Sequence, residues 1–168
     1  MNGKTVYYVE GACEKQFISA LKENPAKLVP GKIRVLNVIQ NLIPKSQLLT
    51  IQPSTTVVFV FDTDVTSTDV LKKNIELIGR YCSKVKIVYL AQVLNFEDEL
   101  VRATDIHSAP DLTQSDSTSN FKTDFCRMAV SPCRDLLERH HIDIAVLWTT
   151  AVPDPFNFIT RNSSSIKL

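Results

Sequence analysis

No apolar stretch in this chain of 168 residues is long enough to cross a bilayer, so a membrane-spanning helix is excluded. The opening Met-Asn-Gly-Lys-Thr passes directly into an apolar run, and no secretory signal is expected before the fold. Cysteine is scarce and unpatterned: Cys13, Cys82, Cys126 and Cys133 form no CxxC pair and have no histidines at zinc spacing. That argues against a zinc site and points to a reducing, cytoplasmic location. A dominant charge is also lacking. Nineteen Lys and Arg stand against 18 Asp and Glu, a net charge of +1, so there is no global electrostatic signature of nucleic-acid binding. Any nucleic acid has to be held by a local patch. Neither an internal repeat nor a second domain is visible. With 44% hydrophobic and 22% charged residues, the chain reads as one ordinary globular domain with a full core, not a disordered segment.

What the sequence does contain is acids at strand ends. Val6-Tyr7-Tyr8-Val9 runs into Glu10, and Val57-Val58-Phe59-Val60-Phe61 runs into Asp62-Thr63-Asp64. Each apolar run has the character of a strand buried on both faces of a parallel sheet. In such sheets ligands bind beyond the carboxyl ends of the strands, where a carboxylate faces the crevice instead of the core. If the two strands are neighbours, Glu10, Asp62 and Asp64 converge. Two carboxylates about 5 Å apart repel by roughly 3 kcal/mol at an effective dielectric near 20. A hard divalent ion with oxygen ligands, Mg2+ or Mn2+, is the counter-charge that suits them.

Along the chain, strand and helix alternate. Strands are expected at 5–10, 33–39, 56–61, 84–90 and 142–149. Helices are expected over 12–23, ended by Asn24-Pro25, and in a short piece opened by Pro44 that carries Leu48, Leu49 and Ile51. A third, capped by Ser67 or Thr68, has a buried stripe of Val70, Leu71, Ile75, Leu77, Ile78 and Tyr81. Asn95 caps a fourth that holds Phe96, Leu100 and Val101. The Ser-, Thr- and Asp-rich stretch 108–120 reads as an exposed, mobile loop. Helices over 121–130 and from Ser131-Pro132 to near His140 follow, then a short helical turn at 154–159 and a frayed tail at 161–168. The expected architecture is α/β: a single Rossmann-like domain with a mostly parallel sheet, helices on both faces and strand order 2-1-3-4, a fifth strand lying at the far edge.

A strand ending in Glu10-Gly11, then a strand ending in Asp62-Thr63-Asp64 some fifty residues on, resembles the Toprim domain of bacterial primases, topoisomerases and small nucleases. Val9-Glu10-Gly11-Ala12-Cys13-Glu14 is similar to the V-E-G-x-x-E opening of OLD-family and RloB-type Toprim proteins, several of which act in defence against phage. The likeness covers residues 4–105, with 106–160 as a C-terminal extension. It implies Glu10 as general acid/base or metal ligand, Asp62 and Asp64 as the magnesium-binding DxD pair, and Glu14 as the second glutamate. Leu94-Asn95-Phe96-Glu97 resembles in part the Asn-Pro-x-Phe-Glu element of RloB-type proteins, without the Pro, and Lys122 is the candidate for the lysine that completes OLD-like sites. Val65-Thr66-Ser67 departs from the Gly-containing turn of many Toprim domains. The ATPase domain that accompanies Toprim in OLD proteins is absent from this chain, which raises an ATPase partner protein.

The implied chemistry is phosphodiester cleavage in DNA or RNA. Asp62 and Asp64 at i and i+2 reach one ion where the strand breaks into a loop, Glu10 helps hold it or moves a proton, and Glu14 and Glu97 serve a second ion. Lys122 stabilises charge at the phosphorus or the leaving group. Each residue also has a plainer reading. Acids in first helical turns, Glu14 and Glu97-Asp98-Glu99 among them, complement the helix dipole, and Lys122 can be a solvated lysine at a loop end. His140-His141 reads as a helix C-cap, His107 as a loop residue, and Lys72, Lys73, Arg80, Lys84 and Lys86 as a basic cluster that contacts phosphate or simply faces water. Rival functions are a catalytically inactive Toprim-fold interaction module and a response-regulator-like signalling domain, the latter weakened because 142–149 ends without a lysine. A haloacid-dehalogenase-like phosphatase would carry its DxD after strand one, not strand three.

Overall fold

A computed structural model describes residues 4–23 and 25–168. The expectations that Met1 to Gly3 lead into the first strand and that Asn24 ends the first helix fall outside the described residues. Four parallel strands, β1 (Thr5–Val9), β2 (Lys32–Val35), β3 (Thr56–Asp62) and β4 (Lys86–Gln92), lie in the order β2-β1-β3-β4. The alternation inferred from the sequence therefore gives the expected doubly wound sheet, with β1 and β3 side by side at the switch point.

Successive residues of each strand face opposite sides. Tyr7, Val9, Val58, Val60, Val88 and Leu90 enter one core, covered by α1 (Ala12–Leu21), α4 (Phe96–Ala103), α5 (Ala109–Thr113), α6 (Thr118–Arg127) and α7 (Val130–Arg139). Val6, Tyr8, Val57, Phe59 and Phe61 enter the other, covered by α2 (Lys45–Leu48), α3 (Asp69–Tyr81) and the segment around Phe156. Because both faces are covered, β3 can be apolar throughout. Its stretch from Val57 to Phe61 is wholly buried. Within α3 only Leu71, Asn74 and Ile78 are fully buried, and Tyr81 is exposed, so the stripe is narrower than its apolar residues imply. Asn74 sits inside it because its side chain accepts from Ile43 N–H and donates to Val38 and Asn41 carbonyls, tying the β2–α2 connection to the helix.

The C-terminal part departs from expectation in several places. Residues 142–149 form turns and no fifth strand. The outer edge of β4 is occupied instead by one side chain: Tyr89 N–H donates to Asn162 Oδ1 at 3.0 Å, and Asn162 Nδ2 donates to Ile87 O at 2.8 Å. A primary amide carries both donors and an acceptor, and here it engages two of the edge groups that a further strand would have paired. The tail is correspondingly ordered against the body. Residues 163–166 form a 3-10 turn, Ile166 is buried, Val29 N–H donates to Ile166 O, and Lys167 Nζ donates to Leu147 O. Residues 154–159 form turns, not a helix, and Phe156 stacks on Phe61 with 5.6 Å between centroids.

The stretch 108–120 holds α5 and the start of α6 rather than a loop. Its polar residues are caps: Asp111 Oδ2 accepts from the Ser108 and His107 N–H groups, and Ser117 accepts from Asn120 N–H, while Ala109 and Leu112 are buried. The helix expected to start at Pro132 with Ser131 as its cap begins at Val130 after Ala129, which still leaves Pro132 in the first turn, where its missing N–H costs nothing.

Because Asn162 satisfies two half-buried strand groups with one side chain, Asn162→Ala is expected to lower unfolding free energy by about 1–2 kcal/mol. Urea denaturation checks this, and an unchanged midpoint would mean that solvent replaces the amide without cost.

Candidate metal centre

The carboxyl ends of β1 and β3 bring the acids together. Val9 pairs in register with Val60, so Glu10 follows β1 at the level where β3 reaches Phe61 and Asp62. Asp62 N–H points at Glu10 Oε2 across 3.4 Å. The next residues open α1. Gly11 is extended, its N–H donates to Glu14 Oε2 at 2.9 Å, and a Cβ on Gly11 would stand 3.2 Å from that oxygen. Glycine thus lets the Glu14 carboxylate fold back over the helix start. At the end of β4, Asn95 caps α4 by accepting from Asp98 N–H, which puts Glu97 in the first turn. From the opposite side α6 presents Lys122, whose Nζ lies 2.8 Å from Glu97 Oε1. Glu10, Glu14, Asp62, Phe96, Glu97 and Lys122 together wall a pocket of about 260 Å3.

Five of the six expected residues therefore line one cavity. The sixth, Asp64, is exposed at the rim, although its negative charge still acts on Glu10 and Asp62. Glu14 is buried and meets its plainer reading as a capping acid with one oxygen while the carboxylate remains in the pocket wall. Lys122 lies within α6, not at a loop end, and is ion-paired. The basic cluster does not gather at this rim: Lys86 begins β4, at the opposite end of the sheet, and Lys72 packs its ammonium over the Phe158 ring. His140 is the C-cap of α7, with Nδ1 2.9 Å from Asp105 Oδ1, and His107 lies beside Asp111, to which its backbone N–H donates, away from the pocket.

The electrostatics are those of crowded anions. Burial, then the charges of Glu10, Glu14, Asp64 and Glu97, push the Asp62 carboxyl up to about 8. Burial raises Glu10, helped by Asp64, and raises Glu14, helped by Glu10 and Glu97, while backbone N–H groups partly counter both. The Glu97 carboxylate holds Lys122 protonated. One cation facing four or five acids leaves negative charge to be neutralised by protons or by a metal ion.

Unpartnered buried polar atoms lie at the ends of β3 and β4, one of them on a residue of the pocket wall. Among the described residues, Asp62 Oδ1 has no hydrogen-bond partner, and Gln92, fully buried and beside Asp62 in register, has none for either side-chain amide atom. Such groups are costly unless something polar reaches them. Gln92 escaped the sequence reading. Its only signal was one amide closing the otherwise apolar run Ile87–Ala91, beside the strand that carries the DxD pair. The oxygen donors of the pocket wall, the carboxylates of Glu10, Glu14, Asp62 and Glu97, fit a hard divalent cation. Among the described residues, no three His, Cys, Asp or Glu side chains stand in an arrangement that would hold a metal ion as they are, so the carboxylates would have to draw inward around one. A larger hollow of about 650 Å3, walled by Trp148, Arg161 and Lys167 near the tail, gathers no acids.

No helix among the described residues is long and apolar enough to cross a membrane. Comparison of the sequence with protein-family models finds no match, and neither curated proteins nor solved structures give a significant one.

The Asp62 carboxyl binds a proton in the folded state well above the ordinary carboxylate pKa near 3.9 of the unfolded chain. Between these values the folded form holds more protons, so its stability falls as pH rises from about 4 to about 8. Asp62→Asn removes that term. Its melting temperature should match wild type near pH 4 and exceed it by several degrees at pH 8.5, as thermal melts in metal-free buffer can test. A difference independent of pH would contradict the crowded-anion account.

Proposed function

We propose that this chain is a divalent-metal-dependent phosphodiesterase acting on a nucleic-acid backbone, a nuclease of the Toprim kind. The observation that carries the reading is the half-buried, proton-holding Asp62, which lines a pocket with three further carboxylates and a lysine and whose buried Oδ1 has no partner among the described residues. A site that crowds more anions than its one lysine can balance is poised to exchange protons for a cation. The resemblance of Glu10-Gly11-Ala12-Cys13-Glu14 and Asp62-Thr63-Asp64 to the Toprim acidic motif points the same way.

In this reading Asp62 and Glu10 hold a magnesium ion, with Asp64 reaching in from the rim and Glu14 and Glu97 available to a second. The ion supplies charge neutralisation on a phosphoryl oxygen and a nucleophilic water near neutral pH. Glu10, half-buried and with its carboxyl raised by burial, is suited to take and return a proton. Lys122 turns from Glu97 toward the negative charge that builds on the scissile phosphate. Phe96, buried beneath the pocket, limits water at its floor. Substrate would approach the open carboxyl end of the sheet, and with a net charge of +1 its hold comes from the ion more than from a basic surface. A role in phage defence or in DNA or RNA metabolism, and an ATPase partner protein, follow from the resemblance. One observation favours the rival reading as an inactive interaction module, namely that the acids are not pre-arranged as a coordination shell.

Supercoiled plasmid and RNA incubated with the protein and Mg2+ or Mn2+ separate the two. Cleavage is expected with wild type, a loss of at least about 100-fold with Asp62→Ala or Glu10→Ala, and a loss of about 10- to 100-fold with Lys122→Ala. Absence of cleavage together with no Mn2+-dependent rise in melting temperature would leave the interaction module.

A further inference from the structure

Beside the acidic pocket, two half-buried thiols from distant parts of the chain meet. Cys13 in the first turn of α1 and Cys126 near the end of α6 are 113 residues apart, and their sulfurs lie 2.7 Å from each other, closer than two sulfur atoms rest without bonding. Cys13 Sγ also lies 3.7 Å from the Lys122 carbonyl, which it can donate to. The pair has no third metal-ligating partner among the described residues in an arrangement able to hold an ion. Its position is pointed: Cys13 lines the pocket and precedes Glu14, and Cys126 lies one helical turn after Lys122.

We propose that Cys13 and Cys126 form a reversible disulfide that staples α6 to α1 and gates the acidic pocket. The chemistry is thiol–disulfide exchange with a low-molecular-weight disulfide such as glutathione disulfide. One thiol of the pair attacks a glutathione sulfur, breaking that S–S bond and releasing one glutathione. The second attacks the protein sulfur of the mixed disulfide and releases the other. Two protein thiols and one glutathione disulfide become one protein disulfide and two glutathiones, with both electrons and both protons passing to glutathione. The sulfurs must draw in from 2.7 Å to the bonded distance of about 2.05 Å, a small adjustment between helices already packed together. The link fixes the turn of α6 that carries Lys122, and with it the Lys122–Glu97 pair that engages a carboxylate otherwise free for a cation. This gating consequence rests on the metal-site reading; formation of the disulfide does not.

The full chain is equilibrated with glutathione disulfide or with dithiothreitol, alkylated, digested and mapped by mass spectrometry. Expected in the oxidised sample are a Cys13–Cys126 linked peptide, alkylated Cys82 and Cys133, and a melting temperature higher by roughly 10 °C, since the bond closes a long loop. Cys126→Ser and Cys13→Ser should each abolish the linked peptide and the shift. Four alkylated cysteines after oxidation, or a Cys126–Cys133 link instead, would overturn the proposal. Mn2+ titration of both forms tests the gate, with affinity expected to be at least 3-fold weaker when oxidised. Equal affinities would overturn the gating, whereas a linked peptide with no Mn2+ binding in either form would retain the staple and reject the metal-site reading.

Discussion

Crowded negative charge at the carboxyl ends of β1 and β3 is the constraint on which the rest of this molecule turns. Parallel pairing of those strands is driven by their apolar faces, and it leaves Glu10 and Asp62 no choice of neighbourhood. Helix α1 then adds Glu14 and α4 adds Glu97, each at a helix start where its charge is locally favoured. Every acid thus has a local reason to be where it is, but the sum is repulsive, and Asp62 at the centre bears most of it. Hydrophobic burial on both faces of the sheet supplies the stability that such a cluster consumes.

The C-terminal part serves this arrangement. Helix α6 brings the single cation to the acids, and α5 and α7 pack with it over the same face of the sheet. Glu99, buried one helical step behind Glu97, accepts from the Trp148 backbone N–H and pairs with Arg102 at 2.6 Å, which itself donates to Val93 O. The turn around Trp148 is thereby bound to the base of α4. Of the three consecutive acids 97–99, one faces the pocket, one bonds inward, and the middle one merely follows the cap.

The parallel sheet and its order were legible because continuous apolar runs bounded by turns have few other readings, and because the acids follow the strands directly. The meeting of Glu10 and Asp62 was legible for the same reason, whereas Glu14, Glu97 and Lys122 were candidates only through the resemblance of their surrounding motifs to Toprim proteins. The last third was not. The run Ile142–Trp148 has the composition of a strand, but its Ala145 and Val146 are exposed and its backbone is taken by turn bonds, one of them to Asp143. Nothing local says that a single Asn162 will do a strand's work. The polar stretch 108–120 misled because Ser and Asp favour caps and loops alike, and only Ala109 and Leu112 hint at buried helix. Cys13 and Cys126 meet across 113 residues, a separation at which spacing rules are silent.

The return of the tail also orders events in time. Leu28 bridges Lys167, and Asn162 caps two groups of β4, so the open border of the sheet is closed by residues that leave the ribosome long after the strand itself. A nascent chain that has completed β4 carries a bare row of amides and carbonyls through the synthesis of some seventy further residues, an interval in which pairing with a neighbouring polypeptide competes with self-closure. Production of this protein should accordingly be sensitive to how crowded, and how slow, its translation is.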